Sequence, residues 1–314
     1  MRVFVTGATG HIGSLVVPEL RSAGHEVVGL ARSEASAAAL AAAGAEAHRG
    51  TLDDLGSLRK AAVAADGVIH LAFIHDFADH AAAAATDLRA IEAIGDALEG
   101  SDKPFVVTSG TAGLKPGRVV TEEDPADARA TTAPRAPSEN AAIALAGRGV
   151  RSSVIRLAPS VHGPYDAHGF IPRLIRIAAD KGVSAYVGTG SNRWPAVHEL
   201  DAARLYRLAL EAGPAGSRLH GVGEEAVPFR AVAQSIGRHL GVPVRSVPPQ
   251  EAAAHFGWLG ALAALDVPAS SARTRALLGW RPVYAGLLAD LDELHYFRSF
   301  RSRTAVAFEA GRPA

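Results

Sequence analysis

An α/β protein built on a doubly wound parallel sheet, with helices on both faces and a smaller, mostly C-terminal lobe, is the fold this sequence predicts. Three observations predict it. Short apolar runs alternate with alanine-rich helical stretches through the first half, the rhythm of a parallel sheet. A glycine-rich turn joins the first run to the first helical stretch. After Pro159 the rhythm breaks, Gly, Pro and aromatic residues become frequent, and helical patterns dominate.

The elements follow in order. Residues 2–6 (RVFVT) read as the first strand and Gly13–Ala23 as the first helix, with Pro18 inside it. Glu26–Leu30 is the second strand, Ala35–Ala43 the second helix, and Ala45–His48 a short third strand. Thr51-Leu-Asp-Asp54 has the pattern of a capping box and opens a helix to Ala65. Val68–Ala72, Phe105–Ser109 and Ser153–Leu157 supply strands four to six, with helices at 81–98 and 138–147 between them. Val222–Phe229, Ser246–Pro249 and Leu278–Pro282 read as surface segments of the smaller lobe. The expected division is residues 1–160 for the main domain, 161–297 for a lobe interleaved with returns to the main sheet, and 298–314 for a loosely ordered tail.

Composition excludes several functions. Lys+Arg and Asp+Glu balance at 32 each, so no electrostatic argument points to nucleic acid or an anionic membrane. The longest apolar runs fall far short of the roughly 18 residues that a spanning helix needs. Residues 1–5 run straight into the glycine turn, which leaves no signal peptide to read. Cysteine is absent, which removes disulfides and thiolate chemistry and fits a cytoplasmic protein. His75, Asp76, Asp79 and His80 lie close in sequence, but their position after a strand of this fold gives no metal site. There is no G-x-S-x-G elbow for serine hydrolysis.

The strongest signal is Thr6-Gly-Ala-Thr-Gly-His-Ile-Gly13, which follows a strand and opens a helix. Gly7 permits the tight turn, Gly10 lets backbone approach a pyrophosphate, and Gly13 permits close packing of helix on strand. The helix then offers free N–H groups and partial positive charge to phosphates. At the end of the second strand Ala31 stands where a carboxylate would bind the ribose of NAD, and Arg32 follows. Arginine pairs bidentately with phosphate, so the cofactor expected is NADP(H).

The G-x-x-G-x-x-G spacing resembles the fingerprint of extended short-chain dehydrogenases/reductases, the epimerase and dehydratase group with a Rossmann fold. The likeness continues in order through HLA at 70–72, TSGT at 108–111, RLAPSVHGP at 156–164 and VHELDAARL at 197–205, and it covers residues 1–290. It implies cofactor contacts at Thr9, His11, Ile12, Ser33, Leu52, Leu71, Ala72, Phe73, Thr108 and Ser109. It also implies that Pro159 and Ser160 pack against the nicotinamide carboxamide.

The pattern departs from the family at its proton relay. Family members carry Tyr-x-x-x-Lys after the fifth strand; this chain reads Arg135-Ala-Pro-Ser-Glu139, keeping only Ser138. All five tyrosines lie after the sixth strand. The expectation is therefore that Arg135 and Glu139 are dispensable for chemistry, and that the proton donor comes from His162, Tyr165, His75, Thr111 or His168. These residues follow strands four to six, on the carboxyl side of the sheet where ligands bind. Ser138, Arg193 and Trp194 are candidate substrate contacts, with a tryptophan that merely anchors the lobe an equal reading of Trp194.

The function these features suggest is an NADPH-dependent reductase that moves a hydride between nicotinamide and a carbonyl carbon of a small molecule. A non-catalytic NADP sensor and an epimerase or dehydratase with retained cofactor remain as alternatives. The alanine-rich helices at 81–98 and 138–147 suggest a homodimer.

Overall fold

The computed structural model describes residues 1–74, 79–126 and 134–298. The main body contains β1 (Arg2–Thr6), α1 (Gly13–Ser22), β2 (Glu26–Ala31), α2 (Glu34–Ala42), β3 (Glu46–Arg49), α3 (Leu55–Ala64), β4 (Gly67–His70), α4 (His80–Leu98), β5 (Pro104–Gly110), α5 (Ala136–Ala144) and β6 (Arg151–Leu157). The lobe begins with β7 (Ser160–His162), α6 (Phe170–Lys181), β8 (Ser184–Val187) and β9 (Arg193–His198). Then α7 (Glu199–Ala212) and β10 (Ser217–Gly221) return to the main body. β11 (Glu224–Pro228), α8 (Phe229–Leu240), β12 (Val244–Val247) and several short helices complete the lobe.

The central sheet has seven strands in the order β10-β6-β5-β4-β1-β2-β3, all parallel. Alternate residues of each strand point to opposite faces, and both faces are covered, so the central strands β1, β2, β4 and β5 are largely apolar, while β3 and β10 at the edges are polar. Val3, Val5 and Ile69 pack with Leu15 and Val16 of α1 and with Tyr206 and Leu210 of α7. Phe4, Val68 and Phe105 pack with Leu58 of α3, Ile91 and Ile94 of α4 and Ala142 of α5. The lobe has a core of its own in which Trp194, Phe229 and Phe256 meet Ile171 and Ile175. The strand order reverses between β1 and β4, which opens a crevice at their carboxyl ends.

Three local readings are refined. α3 is capped by Asp54, whose carboxylate accepts from the Ser57 amide at 3.0 Å, and not by a box at Thr51. The segment Leu278–Pro282 lies at the surface, with Gly279 and Arg281 exposed, but it is anchored in the main core: Trp280 is fully buried and its indole donates to the Asp201 carbonyl at 3.0 Å. β10 adds an edge to the main sheet from a stretch, SRLHG, that reads as polar in sequence. α1 runs without a break through Pro18, which lies on its exposed side. Among the described residues no helix is long and apolar enough to cross a membrane, and no group of three or more side chains is placed to hold a metal ion.

Candidate active site

The glycine loop forms one wall of the crevice. Gly7 has φ +67°, and a Cβ there would stand 2.7 Å from the Ala72 amide nitrogen. Leu71–Phe73, the segment after β4, therefore seats directly on the turn. A Cβ at Gly13 would stand 2.0 Å from the Gly7 carbonyl oxygen, so α1 packs on the loop with no room for a side chain. Gly10 differs: it is exposed, and its nearest obstacle is the Gly7 oxygen at 3.2 Å. Thr9 beside it is also exposed, and His11 and Ile12 are half-buried. The amides of His11, Ile12 and Gly13 donate to no backbone carbonyl among the described residues. This is a cradle for a phosphate pair.

At the end of β2, Ala31 is buried while Arg32 and Ser33 are exposed. Ser33 caps α2, accepting from the Ser36 amide at 3.1 Å. Arg32 makes no ion pair with any described residue. Leu52 is half-buried against the core on the α3 side of the sheet. These residues fit a dinucleotide, with a glycine-lined cradle for its pyrophosphate and an exposed guanidinium at the end of β2.

A buried polar chain runs from this loop across the switch point. The Thr6 hydroxyl accepts from the Ala72 amide at 3.3 Å and lies 2.8 Å from His70 Nδ1. His70 Nε2 lies 3.3 Å from Asp87 Oδ1. Asp87 in turn accepts from Arg135, at 3.0 Å from Nη2 and 3.4 Å from Nε. Burial pushes the Asp87 carboxyl up, but Arg135 and His70 outweigh it and hold the group at about 2. An ionised carboxylate only accepts, so His70 donates to Asp87 from Nε2. The Arg135 guanidinium lies over the Phe73 ring, Cζ 4.4 Å from its centroid. Thr108 braces the chain from β5, donating to the His70 carbonyl at 2.8 Å and meeting the Tyr206 hydroxyl at 2.9 Å.

Comparison with known proteins places this geometry. Residues 3–220 match the model of the NAD dependent epimerase/dehydratase family. The chain belongs to that family. An uncharacterized protein of Schizosaccharomyces pombe is 49% identical over 298 residues, covering 95% of this chain and all of its own length. A ketoreductase of Stigmatella aurantiaca, named for a farnesylated dihydroquinoline oxide, is 28% identical over 280 residues, covering 82% of this chain and 80% of its own. Among solved structures, dTDP-glucose 4,6-dehydratase from Streptomyces venezuelae with NAD bound has a TM-score of 0.73 at 23% identity, covering 96% of this chain and 98% of that one.

Arg135 and Glu139 each meet an opposite charge. Arg135 pairs with Asp87. Glu139 is buried and accepts from Arg156 Nε at 3.1 Å and Arg218 Nε at 3.0 Å. Burial raises the Glu139 carboxyl, yet these guanidiniums, Arg156 above all, bring it below its ordinary value. Arg156 also donates to the Asp124 carbonyl at 2.8 Å. Ser138 is buried beside Asp87, and its hydroxyl adds to the groups that keep that carboxyl low.

The loop after β6 is built differently from the sequence expectation. His162 is buried, with Nδ1 2.8 Å from Asp290 and its ring edge-on to His198, so its polarity is used inside the lobe. Tyr165 and His168 are exposed; what they give locally is backbone, the Tyr165 amide donating to Glu199 and the His168 carbonyl accepting from Arg173. The Thr111 hydroxyl is buried and directed at the Leu157 carbonyl, 3.4 Å away. Ser160 is buried without a side-chain partner, and Pro159 is half-buried. Ser109 is buried near Glu139. Arg193 is no free clamp: its Nε and Nη2 reach the two Asp266 oxygens at 2.9 and 2.8 Å. Trp194 packs among Phe170 and Phe229, as a lobe anchor does. His75 lies outside the described residues.

Two residues of the polar chain escape a sequence reading that looks for proton donors. His70 sits inside the HLA motif and passes as a strand end. Asp87 shares a helix face with Ala83, Ala90, Ile91 and Ile94, and a carboxylate on an apolar stripe was the available signal.

Proposed function

We propose that the protein is an NADPH-dependent reductase of a carbonyl group in a small molecule. The observation that carries the cofactor choice is Arg32: exposed, without an ion-pair partner among the described residues, and next to a buried alanine where an NAD-binding member would place an acid. The reaction type draws support from the related ketoreductase. Bound in the cradle, the cofactor supplies a hydride at its nicotinamide ring. The chain's own part is to hold the pyrophosphate on the open face of Gly10 and to exclude bulk water from the crevice between β1 and β4. The exposed Ala81, Ala82 and Ala85 on α4 suit a homodimer of the same protein.

Titration of NADPH and NADH by fluorescence tests the cofactor assignment. NADPH should bind about ten- to a hundredfold more tightly, and Arg32→Ala should remove that preference. Tighter NADH binding by the parent refutes it. The missing Tyr-x-x-x-Lys favours a second reading, an NADP sensor without turnover. Steady NADPH oxidation across a panel of small aldehydes and keto acids separates the two: any sustained turnover excludes the sensor.

A further inference from the structure

Among the described residues, Arg135 is held on two sides and open on a third. Asp87 takes its Nε/Nη2 edge, at 3.4 and 3.0 Å. The Phe73 ring covers one face of the guanidinium at 4.4 Å. Nη1 makes no hydrogen bond among the described residues, and the side chain is 19% exposed. A guanidinium is a planar group with five donors in fixed forks, so the end edge, Nη1 with the second N–H of Nη2, remains available.

Its place matters as much as its free edge. The chain Thr6–His70–Asp87–Arg135 starts at the carboxyl end of β1, passes the end of β4 and finishes at the start of α5. That is the switch point of the sheet, where open α/β folds bind their ligands. Asp87 is buried and ionised, so it fixes the guanidinium in direction before any ligand arrives. A side chain already immobilised loses little further freedom on binding.

The free edge has the geometry of a carboxylate receptor, two parallel N–H groups for two oxygens. A dianionic phosphate would meet the Asp87 charge at short range, and Asp87 pairs with no second guanidinium among the described residues. A planar monoanion suits the site better. Building on the reductase reading above, we propose that Arg135 receives a substrate carboxylate. The substrates are then small keto acids, anchored by one carboxylate beside the carbonyl to be reduced. Phe73 and Asp87 position the guanidinium, and Arg135, standing where the family keeps its tyrosine, becomes a determinant of specificity.

The test is a binding measurement on the full chain loaded with NADPH. The probe is oxamate, an unreactive isostere of a 2-oxo acid, with neutral oxamide as control. Calorimetry should show saturable oxamate binding to the parent, and Arg135→Gln should weaken it about tenfold or more. Arg135→Lys, which keeps the charge but loses the planar fork, should weaken it by a smaller factor. NADPH affinity should stay within about threefold in both variants, and oxamide should show no dependence on residue 135. Parental oxamate affinity in both variants overturns the assignment. So does a parent that binds NADPH but shows no saturable oxamate binding. If the parent does not bind NADPH at all, the reductase reading falls first and takes this assignment with it. If Arg135→Gln does not fold, Arg135→Lys decides alone, with unchanged affinity counting against the proposal.

Discussion

The crevice at the ends of β1 and β4 and the loop after β6 use similar side chains to opposite ends. In the loop and the strands beside it, the charged groups are closed: His162 on Asp290, Arg193 on Asp266. In the crevice they are left partly open. Gly10 faces free space, Arg32 has no ion-pair partner among the described residues, and Arg135 spends one edge on Asp87 and keeps another. A reactive residue type in the expected place is therefore weak evidence of a site; unspent hydrogen-bonding capacity at a switch point is stronger. The comparison makes a rule that can be broken: changes at closed groups should alter stability, and changes at open ones should alter binding.

The largest contrast lies within the glycine loop itself. Gly13→Val drives a side chain into the Gly7 carbonyl, 2.0 Å from the ideal Cβ, and should cost about 3 kcal/mol or more of stability. Gly10→Val has only the Gly7 oxygen at 3.2 Å to accommodate. It should keep its melting temperature within a few degrees and lose cofactor binding by about a hundredfold or more. Urea titration beside NADPH fluorescence reads both. A Gly10 variant that unfolds, or one that binds NADPH as the parent does, breaks the distinction.

Next in size is acid sensitivity. Burial pushes His220, on β10, down to about 4 from its ordinary 6.5. The folded state thus prefers the neutral ring. Stability from this site is complete above pH 6.5 and drains away as pH falls through 6.5 towards 4, by about 3 kcal/mol in all. Its closed partners are the Ser270 carbonyl, the Thr274 hydroxyl on its amide, and Arg156. Unfolding midpoints measured at pH 7.5, 6 and 5 should fall for the parent and flatten for His220→Gln. A parent whose midpoint holds steady over that range contradicts the assignment.

The smallest functional effect belongs to His162. His162→Gln leaves Asp290 with the more distant His295, at 3.8 Å, and should lower stability by about 1–3 kcal/mol. Turnover per folded molecule should stay within a few-fold of the parent. A loss of about a hundredfold in single-turnover NADPH oxidation, with NADPH affinity intact, would return His162 to the role the sequence suggested.

Much of the fold was legible because it is local. Apolar alternation marked β1 to β6, and the glycine spacing marked the cradle within a single turn of chain. β10 was not legible, because SRLHG earns its place only by pairing with β6, more than sixty residues earlier. The same distance hid the polar chain. His70, Asp87 and Arg135 come from three separate elements, and nothing in the neighbourhood of each tells that they meet. The sequence drew attention to Arg135 and Glu139 as a departure from the Tyr-x-x-x-Lys pattern. It left hidden that each has a partner of opposite charge in another element.

That partnering bears on how such a chain could change over generations. Placing lysine at 139 alone would set a third cation against the buried Arg156 and the partly exposed Arg218. Breaking a buried pair in this way costs about 3–5 kcal/mol, a large share of what holds a domain together. Placing tyrosine at 135 alone would remove the guanidinium from Asp87 and leave His70 as its facing cation-capable group. Neither exchange is open by itself, since each first requires a change in another element. The two positions are thereby locked to their partners elsewhere in the fold.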